Sequence, residues 1–555
     1  MQRILFIVPP HITFEAFIRP SYNARVVKKG TGSYGSLVTD MPLGVLSLSA
    51  YVKKHAPAQT RLLDFNVVLN RLEEFEYLSF ASLFNTFLSA QDVMAFAPTI
   101  VAISALFTPS YRSVVELAQC CRDIFPGALV VAGGGVATNM YKELFSDCTS
   151  LDALCYGEGE KPLLGLLRAP DRLRYLEEHP SWITPSKVQC GESFRHDFVE
   201  NLDEIPFPDY GICATGDYGL NPAITAYASI EEKAHNFHVM TSRGCPHRCC
   251  FCSSHTVHGR RMRYYTLDRV REDFTRLKRD YQAKTFVFQD DHFLADRRRA
   301  LAIIQVVRDL QVTAVFQNGL ALYALDRQIL EALKGAGGDQ LVLAVESGSA
   351  RVLKEIIHKP LSLTTISRVA RDCRELGIYT NVNVLIGLPG ETKNDIEEAR
   401  AFLRTLDANW FIVLCATPLV GSEMLDICLR KNYIKGSYAD CDYKKAVVET
   451  EDFTAEYIQE MAYVLNLDLN FVNNADFRLG HYETALKGFE NAIRAREDHA
   501  IAHYYAAECY ERLGDAIRGR QHRSTAEAIV AESHFWRRYR DMFTLPIQDI
   551  RGTSS

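Results

Sequence analysis

The chain has 555 residues, a formal net charge of −6, 47% hydrophobic and 23% charged residues. At roughly 100–200 residues per domain, that length exceeds one core and asks for about two to four. The slight acidity offers no basic field for a nucleic-acid partner, and no apolar run approaches the roughly 18 residues of a membrane-spanning helix. The opening MQRILFIVPP ends its apolar run at Pro9-Pro10 and reads as a buried strand, not a signal peptide. The fifteen cysteines are scattered and follow no export signal. A reducing, cytoplasmic setting is expected, in which a dense cysteine cluster binds metal or does catalysis instead of forming cystine.

Residues 1–170 alternate apolar runs with helical patterns. RILFIV (3–8), RLLDF (61–65), IVAISAL (100–106), ALVVAG (128–133) and DALCY (152–156) are buried-strand candidates, and MPLGVLSLSAYVKKH (41–55) a helix. This order predicts an α/β, doubly wound, Rossmann-like domain whose ligand lies beyond the carboxyl ends of its strands. Those ends carry PPH (9–11), SALFTPS (104–110), GGGVAT (133–138) and GEGE (157–160), all loop-formers expected to expose backbone. Residues 171–235 are less regular and read as a linker, with two prolines in NLDEIPFPDYG.

From residue 236 the alternation restarts with NFHVMTS, TFVFQD, AVFQNG, LVLAVES, TNVNVLIG and WFIVLCA. Six β/α units suggest a partial, open version of the eight-fold barrel, with its chemistry at the strand C-termini. Helix 267–281 places Leu267, Val270, Phe274, Leu277 and Tyr281 on one face. The tail is helical: RLG recurs at 478–480 and 512–514, the tetratricopeptide spacing, in a degenerate pattern where Ala485 becomes Gly519. The resulting domains are 1–170, a linker 171–235, 236–430, a connecting region 431–465 and a helical, tetratricopeptide (TPR)-like region 466–555.

TSRGCPHRCCFCSSH (241–255) follows the first strand of the second α/β region. Cys245, Cys249 and Cys252 form C-x3-C-x2-C, with Cys250 spare. A zinc site would add His255 or His247 as fourth ligand, but zinc spacings favour two separated ligand pairs. Iron–sulfur cubanes take four thiolates, so a loop that gives three leaves one iron open to a small molecule. C-x3-C-x2-C after the first strand of a partial barrel resembles the radical S-adenosylmethionine (SAM) enzymes. That resemblance implies a 4Fe-4S cluster on the three cysteines, with SAM bound at the free iron and cleaved to a deoxyadenosyl radical. It further implies SAM contacts at Phe251, Asp290, Asp291, Glu346, Ser347 and Gly387. Cys120, Cys121, Cys373 and Cys415 fall in helix or strand patterns and read as core.

A doubly wound domain before such a barrel resembles the cobalamin-binding class of these enzymes. The matching pieces are PP (9–10), MPLGVLSLSAYV, the glycine loop, GEGE and NLDEIPFPDY. G-x-G-x-x-G fails in the glycine loop, because Thr138 replaces the third glycine. The resemblance implies cobalamin contacts at Pro10, Leu43, Gly44, Leu106, Phe107, Thr108, Gly133, Gly134, Gly135, Gly157, Glu158 and Gly159. Many cobalamin proteins offer a lower-ligand His in D-x-H-x-x-G. Among sixteen histidines only Asp290–His292 begins that pattern, and it ends in Ala295.

The scheme implied by the resemblance transfers a methyl group from one SAM to cobalamin. A second SAM supplies the radical that opens a carbon of a small-molecule substrate to that methyl group. An electron donor such as flavodoxin or ferredoxin, and a peptide or protein partner at the TPR-like tail, are the implied partners. Oxidative cyclisation or rearrangement without methyl transfer is the enzymatic alternative, and a zinc-stabilised binding protein the non-enzymatic one. Arg260, Arg261 and Arg263, past the cysteine loop, offer charge to a carboxylate or phosphate there, but read first as exposed helix-flank residues.

Overall fold

The computed structural model describes residues 1–20, 26–37, 39–219, 235–438 and 445–548. Parts of the linker and of the connecting region, 220–234 and 439–444, lie outside the described residues. The chain divides into two compact units. One comprises Met1–Leu220, Lys233–Ala314 and Thr417–Val448; the other comprises Asn221–Glu232, Val315–Ala416 and Glu449–Ser555.

Sixteen strands are named here in chain order. The first eight are β1 (Gln2–Val8), β2 (Val26–Lys29), β3 (Gly32–Gly35), β4 (Ala58–Asp64), β5 (Ile100–Ser104), β6 (Leu129–Gly133), β7 (Ala153–Cys155) and β8 (Trp182–Ile183). The other eight are β9 (Asn236–Val239), β10 (Ser242–Arg243), β11 (Arg263–Tyr264), β12 (Thr285–Phe288), β13 (Thr313–Phe316), β14 (Gln340–Glu346), β15 (Tyr379–Ile386) and β16 (Trp410–Cys415).

In the first unit, six strands form one sheet in the order β4-β1-β5-β6-β7-β8. The first five run parallel, and β8 pairs antiparallel with β7. Why β1 is apolar throughout follows from its two faces. Leu5 and Ile7 pack with Val101, Ile103, Val130, Phe80, Phe84 and Leu117. Ile4, Phe6 and Val8 pack with Val131, Val45, Val52, Leu163 and Leu166. Helices Phe80–Leu88 and Tyr111–Ile124 therefore supply one layer, Leu43–His55 and Glu160–Arg168 the other. The β2–β3 hairpin (Val26↔Gly35) and the edge strand β8 carry too short a pattern to read from sequence.

β9, β12 and β13 form a three-stranded sheet in the order β13-β12-β9, with β9 and β12 parallel (Thr285↔Asn236). Helix Leu267–Tyr281 buries Val270, Phe274 and Leu277, whereas Leu267, at its first turn, is 40% exposed. In the second unit β14, β15 and β16 run parallel in that order. All six strands of the second α/β region thus occur where the alternation predicts them.

The helices that follow close the second unit's sheet. Asn470 Oδ1 accepts the Phe411 N–H at 2.7 Å and its Nδ2 donates to Phe411 O at 2.8 Å. A side-chain amide thereby occupies strand β16's open edge. Buried Asp468 accepts from Arg400 Nε at 2.5 Å and from Arg404 Nη2 at 2.7 Å. Phe471, Phe489, Tyr505 and Trp536 form the helical core. The repeated RLG ends two helices, with Gly480 (φ +81°) and Gly514 (φ +86°) in the left-handed region.

Candidate functional site

The cysteine loop hangs between two short strands. β10 pairs antiparallel with β11 (Ser242↔Tyr264, Arg243↔Arg263), so residues 244–262 leave and return at one place. Asp290, at the end of β12, fixes the base. It accepts the Thr241 N–H at 3.1 Å, the Thr241 hydroxyl at 2.7 Å and the Ser242 hydroxyl at 2.6 Å. Its carboxylate is buried and engaged with its own chain. Asp291 Oδ2 accepts the Gly244 N–H at 3.3 Å, one residue before the first cysteine.

Within the loop, Cys252 N–H donates to Cys249 O at 3.0 Å and Cys245 N–H to Gly259 O at 3.4 Å. Cys245, Cys249, Phe251 and Cys252 are half-buried, and none of the three thiols forms a disulfide. Cys250 differs: it is 3% exposed, its carbonyl accepts the Met424 N–H at 2.9 Å, and burial pushes its thiol up to about 12. The spare cysteine is core. Burial also pushes Cys245 up to about 11, so its ligation would release a proton. Among the described residues no three His, Cys, Asp or Glu side chains are grouped to hold a metal ion. The thiolates of a cubane bind separate irons and need no such convergence.

The loop is clasped to the doubly wound domain by buried charge. Glu158 of GEGE is 4% exposed, Arg243 5% and Arg263 4%. Glu158 Oε2 accepts from Arg263 Nη1 at 2.9 Å and pairs with Arg243 Nη1 at 3.1 Å; Oε1 takes His258 Nδ1 at 2.8 Å. Burial alone would raise the Glu158 pKa, but Arg243, His258 and Arg263 outweigh it and hold the carboxyl well below its usual range. Glu160 Oε1 receives Arg243 Nη2 at 2.8 Å and the Ser47 hydroxyl at 2.6 Å. Two expectations change here. GEGE buries both its glutamates, because they neutralise arginines from β10 and β11. Arg263, expected on the surface, is buried as their partner, while Arg261 is exposed and pairs with Glu200. Neither arginine announces its burial in sequence, since its partner lies about 100 residues away.

The glycine loop makes a second contact with the cysteine loop. Asn139 Nδ2 donates to Thr256 Oγ1 at 2.9 Å, and His196 Nε2 lies 2.8 Å from Thr256 O. The close approach of these glycines is to their own chain. A Cβ on Gly134 (φ +95°) would lie 2.5 Å from Ala105 O, and one on Gly135 2.7 Å from Leu106 O. Gly133 O accepts the Ala105 N–H at 3.0 Å, and Thr138 Oγ1 accepts the Gly157 N–H at 3.0 Å. The loops after β5, β6 and β7 are therefore locked together. On the β5 loop Leu106 is 56% exposed, Phe107 half-buried and Thr108 buried. Pro10 O accepts the Ser110 hydroxyl at 2.8 Å. Leu43 and Gly44 begin the helix 43–55, and nothing lies within 4 Å of a Cβ on Gly44; one on Gly159 would meet Leu48 Cδ2 at 3.1 Å.

The second unit holds the other strand ends. Glu346, at φ +67° beside a register shift in β14, accepts from Lys359 Nζ at 3.0 Å. Ser347 Oγ accepts the Ser349 N–H at 3.1 Å. Gly387 (φ +88°) donates its N–H to Glu391 Oε2 at 2.6 Å, and Leu388 does so at 3.1 Å.

Comparison with known proteins agrees with this architecture. Residues 40–167 match the B12 binding domain and residues 239–403 the radical SAM superfamily. The chain carries a B12-binding domain followed by a radical SAM domain. A 4Fe-4S cluster, SAM and cobalamin are the cofactors of those two domains. The site's chemistry fits them: three thiols on one loop, none in a disulfide, for the cluster, and an exposed Leu106 on interlocked loops for a flat macrocycle. The chain is 27% identical over 405 residues to cytidylyl-2-hydroxyethylphosphonate methyltransferase of Streptomyces wedmorensis, covering 68% of this radical SAM protein and 75% of the relative. It is 24% identical to the anaerobic magnesium-protoporphyrin IX monomethyl ester cyclase of Rubrivivax gelatinosus, over 66% of this chain and 63% of the cyclase. The cobalamin-dependent SAM radical enzyme OxsB, solved with aqua-cobalamin and SAM, shares its fold: TM-score 0.59, 14% identity, 100% of this chain and 81% of that one.

Proposed function

We propose that this radical SAM protein methylates an unactivated carbon of a small-molecule metabolite or natural-product intermediate. The observation that carries the reading is one compact unit in which the three-thiol loop and the B12-binding domain are joined through buried Glu158. Bound there, the cluster and SAM supply a hydrogen-abstracting radical, and cobalamin a transferable methyl group. The chain's own residues fix distances. Asp290 and Asp291 anchor the start of the cysteine loop, the Glu158 cluster anchors its end, and Asn139 holds its helix. Cys245, Cys249 and Cys252 hold the cluster, with SAM contacts assigned to Phe251, Asp291, Glu346, Ser347 and Gly387. Asp290 acts behind them as a positioning residue.

The similarity to a methyltransferase over 68% of the chain supports methyl transfer. The similarity to an anaerobic cyclase keeps ring closure as the second outcome. Product analysis separates the two. Methyl transfer yields S-adenosylhomocysteine together with deoxyadenosine; cyclisation yields deoxyadenosine without it. Deoxyadenosine alone from a competent substrate would overturn the methylation reading. Reducing equivalents would come from a flavodoxin- or ferredoxin-type donor. We divide the chain functionally at 1–170, 236–430 and 466–555, and assign the last segment first to closing strand β16 and only second to docking a partner. No helix among the described residues is long and apolar enough to cross a membrane.

A further inference from the structure

At Thr417 the chain returns to the first unit. The loop TPLVGS (417–422) leads into helix Glu423–Lys431, where the Ser422 hydroxyl caps the N-terminus by accepting the Leu425 N–H at 3.2 Å. This segment touches both sides of the site. Behind the glycine loop, Val420 and Leu425 are buried in the core that also holds Val136, Ala137 and Met140. On the cysteine loop, Cys250 O accepts the Met424 N–H at 2.9 Å, between Cys249 and Cys252.

Gly421 (φ +80°) stands where these contacts meet. A Cβ there would run into Asn139 Oδ1 and lie 2.6 Å from Asn139 Cγ and 2.9 Å from Thr256 Cγ2. A side-chain carboxamide ordinarily swings away from such an atom. This one is pinned, because Asn139 Nδ2 donates to Gly135 O at 2.8 Å and to Thr256 Oγ1 at 2.9 Å. Thr256 is held in turn: its hydroxyl donates to Ser253 O at 2.8 Å, and His196 Nε2 lies 2.8 Å from its carbonyl oxygen. Asn139 therefore makes room for a side chain at 421 only by letting go of Thr256.

We propose that Gly421 is a positioning residue for the two cofactors. It lets loop 417–422 seat against the Asn139–Thr256 bond, and that bond sets the spacing between the glycine loop and the cysteine loop. Passing a group between reactants held on different loops depends on such spacing, since a misplacement of about 1 Å can cost about 100-fold in rate. No motif records the contact, because Asn139 and Thr256 are 117 positions apart and Gly421 belongs to a third segment. The inference rests on the functional reading above, and its test separates the two.

The test is electron paramagnetic resonance of the full-length protein reconstituted with a 4Fe-4S cluster and cob(II)alamin. Irradiating the frozen sample reduces a fraction of the clusters with the protein held in place. The magnetic interaction between a reduced cluster and cob(II)alamin falls steeply with their separation. The parent should show it as a splitting or broadening of the cobalt signal. Gly421→Ala and Asn139→Ala should each weaken it at the parent's iron and cobalamin contents, and Gly127→Ala should leave it unchanged. Asn139→Ala adds no atom, so it decides alone if Gly421→Ala does not fold. The parent's spectrum in both variants overturns the spacing role, as does a folded variant that sheds a cofactor. A parent that holds both cofactors without any interaction overturns it too and leaves the functional reading standing. A parent that binds no cobalamin overturns both.

Discussion

Arg263 Nη1 donates to Glu158 Oε2 at 2.9 Å across 105 residues of sequence, and both side chains are buried. This pair, with Arg243, makes the GEGE loop and the cysteine loop one piece. Removing one partner of a buried pair leaves its opposite charge uncompensated. Glu158→Gln is expected to cost about 3–5 kcal/mol, measured by denaturant unfolding. The pH dependence has a definite sign. The folded carboxyl titrates below its ordinary value of 4.5, so its stabilisation is complete above that pH and fades as pH falls beneath it. Stability curves from pH 7 to pH 3 should drop less steeply for the variant than for the parent.

Glu391 carries the opposite sign. Burial raises its carboxyl to about 8, against the lowering effect of the Leu388 and Gly387 N–H groups, and its Oε1 is buried with no partner among the described residues. The folded state therefore holds a proton that the unfolded chain releases near pH 4.5. Stability from this group is greatest below that value and declines as pH rises toward about 8. Glu391→Gln should flatten that decline, each pKa unit being worth about 1.4 kcal/mol. Equal slopes between pH 5 and pH 8 for parent and variant would refute it.

Gly134 tests the interlocked loops. A Cβ there would meet Ala105 O at 2.5 Å on a backbone at φ +95°, and a carbonyl cannot step aside as a side chain does. Gly134→Ala is expected to lose about 1–3 kcal/mol and to retain less cobalamin on gel filtration. Gly127→Ala, in open space, serves as the matched control.

Much of this was legible beforehand because burial on both sides leaves an unbroken apolar run. β1, β5, β6, β12 and β14 show it, whereas β9 and β15 interleave Asn or His with their apolar residues. RLLDF marked β4, yet the strand ends at Asp64 and Phe65 already begins a helix capped by that aspartate. What one sequence does not carry is pairing between distant charges. Glu158, Arg243 and Arg263 look like solvated residues until the fold places them together. The glycine loop shows the same limit: its need for glycine comes from the backbone of residues 105–106.

Cysteine-by-cysteine metal analysis tests the central claim most directly. After anaerobic reconstitution the parent chain should hold about four iron and four acid-labile sulfides. Cys250→Ala should keep them, and Cys245→Ala, Cys249→Ala and Cys252→Ala should each lose the cluster together with SAM cleavage. Full iron content and SAM cleavage in any of those three variants, or one zinc and no iron in the parent, would contradict the account.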